Sequence, residues 1–193
     1  ILSKSLRADF SVMITASHNP YQDNGLKFFS GTGYKITAEE ERKIEDYFFN
    51  YDFDNFKIKP SNYGKAVRLK DAIGRYSEAL KQNTFKNLDY TKLKVVLDCA
   101  NGAAYKVAPE VLFEIGAELD TLGDKPNGVN INEKCGSLFP ERASKLVKKI
   151  KSDVGICLDG DGDRLIIIDE KGDPIFGEEL IYILAKFYLK NKI

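Results

Sequence analysis

The stretch Asp153-Val-Gly-Ile-Cys-Leu158-Asp-Gly-Asp-Gly-Asp-Arg164-Leu-Ile-Ile-Ile-Asp169 decides the fold. It holds two apolar, β-branched runs of strand length, joined by an acidic link with a glycine at every second position. The first run is almost continuously apolar, as expected of a strand covered on both faces. The second, Leu165–Asp169, leads through Glu170-Lys-Gly-Asp173 into Pro174, which reads as a turn. Just upstream, Ala143, Leu146, Val147 and Ile150 recur at helical spacing, so a helix feeds the first strand.

The alternation continues outward. Glu118–Leu122 reads as a strand, Ala108, Val111, Leu112 and Ile115 as a helical stripe closed by Gly116, and Leu93–Asp98 as a strand running into the loop Cys99–Gly102. Ile73, Tyr76 and Leu80 mark an earlier helix, and Ile181, Leu184 and Tyr188 a last one. Gly123 to Pro140 is a long Gly-, Asn- and Pro-rich loop. Nearer the start, Phe10–Thr15 predicts a strand entering a loop, Leu26–Phe29 a second strand, and Ser30–Gly33 a turn. Thr37-Ala-Glu-Glu40 is a capping box ahead of a helix whose stripe is Ile44, Tyr47 and Phe48. Residues 50–64 show no sustained period and read as irregular structure or a connection between domains. Strands alternating with helices predict an α/β fold with a largely parallel sheet, and such sheets gather ligands at the carboxyl ends of their strands. The loops after Thr15 and after Leu158 both lie at such ends.

Composition excludes some partners. In 193 residues, Lys+Arg and Asp+Glu balance at 29 each, so no global field favours nucleic acid or an anionic membrane. No apolar stretch reaches transmembrane length. Three cysteines, Cys99, Cys135 and Cys157, are odd in number and widely spaced, which argues against a disulfide framework or zinc site and for a reducing cytoplasm. The chain opens on Ile1 and stops at Ile193 inside a helical pattern, so both ends read as cut.

Asp159-Gly-Asp-Gly-Asp163-Arg164 carries the sharpest chemistry. Three carboxylates spaced by two on extended backbone point one way, and Gly160 and Gly162 let the chain curl so that the oxygens converge. Like charges so close need a hard divalent cation with oxygen ligands. Arg164 adds a fork of donors suited to a phosphate beside that cation. Three other readings compete. One is a solvated acidic turn. Another is an EF-hand, with Asp159, Asp161, Asp163 and Glu170 in ligand positions, but Arg164 stands where that loop needs Gly and the flanks read as strands. The third is a haloacid-dehalogenase-type phosphatase with Asp159 as nucleophile, though Asp163 replaces the usual Thr.

Thr15-Ala-Ser-His-Asn-Pro20 places a hydroxyl, an imidazole and an amide on one loop. Ser17 is a candidate nucleophile and His18 a polar helper, but Thr15 and Asn19 replace both glycines of a hydrolase elbow. Taken alone, the string also reads as an ordinary turn.

The two loops together change that weighing. Thr15-Ala-Ser-His-Asn-Pro-Tyr-Gln-Asp-Asn-Gly-Leu-Lys27 resembles the phosphoserine loop of the α-D-phosphohexomutases, and Asp159–Arg164 resembles their magnesium loop, in the right order and separated by an α/β domain. Ala16 before the serine and Asn127–Gly136 point within that family toward hexosamine phosphates, whereas phosphomannomutases and phosphoglucomutases more often place Gly before the serine. The resemblance implies an α/β fold of mixed or parallel sheets with flanking helices, in two consecutive domains, the first incomplete. Residues 1–65 would be the latter part of domain 1, 66–173 domain 2, and 174–193 the first helix of domain 3. It further implies an isomerase moving phosphate within a sugar. Ser17 would carry the phosphate, and Asp159, Asp161, Asp163 and a phosphoserine oxygen would hold Mg²⁺. Asn19 and Arg164 would bind phosphate, and His18 and Lys27 are both open as the proton-handling group. The implied substrate is a hexosamine phosphate, with no nucleic acid or membrane partner. A homodimer of the full-length enzyme is compatible, and the isolated fragment is expected to be inactive.

Overall fold

The computed structural model describes residues 1–52, 57–82 and 89–191, so the irregular stretch 50–64 is seen only in part. The chain divides into two compact units, Ile1–Met13 with Leu26–Tyr76, and Ile14–Gly25 with Ser77–Ile193. The first unit runs past residue 65 to Tyr76, and the loop after Phe10–Thr15 clusters with the second unit.

The first unit contains the short helix α1 (Leu2–Ser5), most of the two-stranded sheet of β1 (Phe10–Thr15) and β2 (Gly25–Ser30), and α2 (Ala38–Asn50). The capping box at α2 forms as read: Thr37 Oγ1 accepts from the Glu40 N–H, and Glu40 Oε2 accepts from the Thr37 N–H at 2.8 Å. The stripe behind it does not become core. Tyr47 and Phe48 are 57% and 67% exposed, because no described residue of the unit covers that face.

The second unit holds most of α3 (Ala72–Gln82), then β3 (Lys94–Asp98), α4 (Val107–Glu114), β4 (Glu118–Leu122), α5 (Glu141–Ile150), β5 (Val154–Leu158), β6 (Leu165–Ile168), β7 (Pro174–Ile175) and α6 (Gly177–Asn191). Its sheet runs β4-β3-β5-β6-β7. β3 pairs in parallel with β4 and β5, while β5–β6 and β6–β7 are antiparallel. The sheet is therefore mixed rather than largely parallel. The reason lies in the chain: Asp159–Arg164 is too short to carry the crossover that a parallel return requires.

The core lies where α5 packs on the sheet. Val96, Ala143, Val147, Cys157 and Ile168 are buried together, with Leu146 and Ile150 against them. The fully covered strand is β3, whose residues 95–98 are all buried; β5 instead alternates buried Gly155 and Cys157 with half-buried Val154, Ile156 and Leu158. From β3 the chain steps to β4 on one side and from β4 back past β3 to β5. Right-handed crossovers thus send α4 and α5 to opposite faces and cover β3 twice. The loops after β3 and β5 consequently emerge side by side at the carboxyl edge, where the chain's direction diverges.

Cys99, Cys135 and Cys157 are buried free thiols. Burial pushes Cys99 and Cys157 up to about 12 and Cys135 to about 11, so all three are neutral, unreactive groups at physiological pH. Among the described residues no helix is long and apolar enough to cross a membrane.

Candidate active site

The loop after β5 turns instead of running extended. The Gly162 N–H bonds the Asp159 carbonyl at 3.1 Å, with Gly162 at φ +74°. The carboxylates converge through this turn, not through strand alternation. One oxygen from each of Asp159, Asp161 and Asp163 lies within 4.8 Å of the others. The flanking elements are the strands β5 and β6, which removes the EF-hand reading.

The three carboxylates differ in setting: Asp159 is buried, Asp161 half-buried and Asp163 exposed. Asp159 is 1% exposed, its Oδ1 accepts from the Arg164 N–H at 3.1 Å, and its Oδ2 is buried with no donor among the described residues. Burial first, and then the neighbouring Asp161 and Asp163 charges, raise its pKa, against the lowering effect of the Arg164 N–H. A buried carboxylate oxygen without a donor, facing two more carboxylates, fits a hard cation and is costly without one. The Arg164 side chain is exposed and pairs with no carboxylate among the described residues.

The loop after β1 lies in the same compact unit, against this turn. The Thr15 hydroxyl joins them: its Oγ1 accepts from the Ser17 N–H at 2.8 Å and donates to Asp161 Oδ2 at 3.3 Å. Ser17 has φ +53°, a left-handed conformation that costs a non-glycine residue about 1–2 kcal/mol. His18 Nδ1 lies 3.4 Å from Ser17 Oγ, so the imidazole approaches the hydroxyl of its neighbour in sequence. Asn19 is exposed, and its N–H closes a turn on the Ala16 carbonyl at 2.9 Å. Lys27 lies half-buried on β2, in the other compact unit.

One participant, Asn132, escaped the sequence reading, and Gly160 has a role beyond the curl read there. Asn132 donates from Nδ2 to the carbonyls of both Ser17 and Asn19, each at 2.8 Å. Gly160 has no room for a side chain: a Cβ there would collide with the Ser17 carbonyl and stand 2.8 Å from Asn132 Nδ2. Both rest on the loop after β3, since Ala103 N–H bonds the Gly160 carbonyl at 2.8 Å and Asn132 N–H the Ala100 carbonyl at 2.9 Å. That loop is itself fixed by Asp98 Oδ1, which accepts from the Ala100 N–H at 2.9 Å. Only Gly160's placement between two motif aspartates hinted at this; the partner of Asn132 is more than a hundred residues away in sequence.

A strained serine beside three converging carboxylates, at the carboxyl edge of an α/β sheet, can hold a phosphate ester next to a cation. Comparison with known proteins agrees. The family described as phosphoglucomutase/phosphomannomutase, alpha/beta/alpha domain I, matches residues 1–55, and its domain II matches residues 74–172. The phosphoglucosamine mutase of Geotalea uraniireducens is 51% identical over 193 residues, all of this chain and 42% of that protein. That of Zymomonas mobilis is 50% identical over 193 residues, 100% of this chain and 43% of its own length. The chain thus spans about two-fifths of the curated relatives it matches. Among solved structures, a phosphoglucomutase/phosphomannomutase family protein from Burkholderia thailandensis superposes with a TM-score of 0.73 at 24% identity, over 95% of this chain and 38% of that one. Aspergillus fumigatus N-acetylphosphoglucosamine mutase, solved with GlcNAc-6P and magnesium, gives 0.56 at 18% identity, over 90% of this chain and 47% of that one. At such identities these two likenesses speak for the fold alone.

Proposed function

Because this chain belongs to the phosphoglucomutase/phosphomannomutase family, we propose that it is the phosphoserine- and metal-bearing part of a phosphoglucosamine mutase, which interconverts glucosamine 6-phosphate and glucosamine 1-phosphate. The observation that carries this reading is the Thr15 hydroxyl, which ties the Ser17 turn to Asp161 within one compact unit. The sugar follows from the curated relatives, which are phosphoglucosamine mutases at about half identity across the whole chain. Residues 1–65 and 66–173 serve as the first two domains of the enzyme and 174–193 as the opening of a third. Three buried free thiols suit the cytoplasm.

Ser17 carries the phosphoryl group. In the first half-reaction the P–Oγ bond breaks, a bond forms from phosphorus to the sugar 1-oxygen, the 1-hydroxyl proton passes to a base and Ser17 Oγ takes up a proton. In the second, Ser17 Oγ gives up that proton as it attacks the 6-phosphate of the bisphosphate, the bond from phosphorus to the 6-oxygen breaks, and the freed 6-oxygen takes a proton. His18 Nδ1, 3.4 Å from Ser17 Oγ, is one candidate for handling that proton, and Lys27 on β2 is the other. Arg164 steadies the phosphoryl oxygens with its exposed guanidinium. Asp159, Asp161 and Asp163, with an oxygen of phosphorylated Ser17, would hold Mg²⁺. When bound, that ion supplies charge neutralisation on the phosphoryl oxygens.

The alternative phosphatase chemistry uses Asp159 as nucleophile. At 1% exposure, with Oδ1 engaged by the Arg164 N–H, that carboxylate is poorly placed for in-line attack on phosphorus. Exposure of the enzyme carrying this chain to radiolabelled glucosamine 1,6-bisphosphate tests the assignment. Acid-stable label on Ser17, lost in Ser17→Ala together with mutase turnover, is the expected result. Label on Asp159, or turnover retained without Ser17, would replace it.

A further inference from the structure

We propose that Asn132 is a positioning residue for phosphoryl transfer: its amide clamps the Ser17 turn onto the aspartate loop. Three observations carry this. First, one nitrogen, Asn132 Nδ2, donates both of its hydrogens across the fold, to the carbonyls of Ser17 and Asn19, at 2.8 Å each. Both neighbours are acceptors only, so the amide orientation is fixed by the network. These carbonyls bracket His18, so the clamp spans the proposed phosphate carrier and one of the two candidates for handling the proton.

Second, the clamp is rigidly mounted. Asn132 is 7% exposed, its own N–H bonds the Ala100 carbonyl at 2.9 Å, and its backbone sits at φ +58°. Asparagine is among the few side-chain-bearing residues that enter this region readily. The position therefore demands a residue that tolerates the left-handed backbone and also carries two donors.

Third, the packing leaves no slack. The Ser17 carbonyl and Asn132 Nδ2 both close on Gly160, which lies between Asp159 and Asp161 and admits no Cβ. A shift of the Ser17 turn is thus a shift relative to the carboxylates themselves. Transfer chemistry is steep in such displacements: a misplacement of about 1 Å can cost on the order of 100-fold in rate. The Thr15 hydroxyl is a second tether, so loss of the clamp loosens the turn without freeing it.

The inference rests on Ser17 as phosphate carrier, and its test has one arm independent of that reading. Asn132→Gly keeps the left-handed backbone and removes only the amide. Asn132→Asp keeps the shape and turns a donor toward the two carbonyls into an acceptor. In the enzyme carrying this chain, both variants are expected to slow Ser17 labelling by the bisphosphate roughly 10- to 100-fold. kcat should fall in parallel, with KM changed less than about threefold and Mg²⁺ affinity within about twofold. In the second arm, amide hydrogen exchange of the 14–25 peptide should quicken about tenfold while β3 and β5 stay protected. Unaltered labelling and unaltered exchange would overturn the clamp. Quickened exchange with unaltered labelling would reduce Asn132 to a structural residue and also overturn it. Failure of the unsubstituted enzyme to label at Ser17 would count against the proposed function instead, with the exchange arm still deciding whether the clamp exists. Should Asn132→Asp not fold, Asn132→Gly alone decides.

Discussion

At the scale of single residues, the site is a set of unfavourable groups that a ligand would make favourable. Asp159 is buried, short of a donor at Oδ2, and set beside two further carboxylates. In the absence of a cation this arrangement costs stability, so removing one charge should not harm the apo protein. We expect Asp159→Asn to leave the metal-free melting temperature unchanged or slightly raised. The unsubstituted protein should gain about 2.7 kcal/mol at a Mg²⁺ concentration of 100 times Kd, and the variant should gain almost nothing. Thermal melts with and without Mg²⁺ read this directly, and an equal metal-induced shift in both proteins would refute the triad as the cation site. The sequence made these aspartates visible because their identity and spacing are local. It also made Ser17 visible, as a hydroxyl at the end of a strand. It did not disclose the left-handed backbone of Ser17 or the reach of Asn132, since both are set by partners distant in the chain.

At the scale of elements, most boundaries were legible because apolar periodicity is written residue by residue: β1, α5 and the capped start of α2 fall where the pattern put them. What one-dimensional periodicity lacks is the partner. It marked Ile44, Tyr47 and Phe48 as an inward stripe, and all three are exposed. It read β5 as a strand covered on both faces, whereas the geometry assigns that place to β3. Gly155 shows the same limit in a testable form. A glycine within a strand looks like a weakness, and replacement by Ala at an unconstrained site stabilises by about 0.4–1 kcal/mol. Here a Cβ would stand 2.9 Å from both Ile168 Cβ and Val147 Cγ2, because the glycine is what lets α5 settle onto the sheet. Gly155→Ala should therefore destabilise by about 1–3 kcal/mol, seen as a lower urea midpoint with an unchanged slope. A raised midpoint would show that the α5 contact is looser than the packing indicates.

At the scale of the whole molecule, the two compact units differ in how much they bury, and stability should follow. Nearly all the buried apolar side chains, among them Val95, Val96, Leu97, Val147, Cys157 and Ile168, belong to the second unit. Among the described residues of the first unit, Ile36 is the one buried hydrophobic, while Phe10, Leu26, Tyr47, Phe48 and Phe49 stay exposed. Protection against opening scales with buried apolar area and with hydrogen bonds shielded from water. Among the described residues the strands β1 and β2 form a two-stranded sheet, which is marginal on its own. The 13-residue α2 has a complete capping box, yet a helix of that length is itself near the limit of independent stability in water. We therefore expect this chain to depart from two-state behaviour. Amides of β3 and β5 should exchange only through global unfolding of the second unit, whereas those of β1, β2 and α2 should exchange at least about a hundredfold faster by local opening. The apolar surface of the first unit, together with Ile181, Leu184 and Leu189 on α6, should bind a hydrophobic dye such as ANS in the absence of denaturant. Substituting Thr37→Ala, which removes the cap of α2, should speed exchange in that helix by a factor corresponding to about 1 kcal/mol and leave β3 and β5 untouched. Uniform protection across both units would mean that the first draws its stability from the second, and the Thr37→Ala effect would then spread to the sheet of β3 and β5.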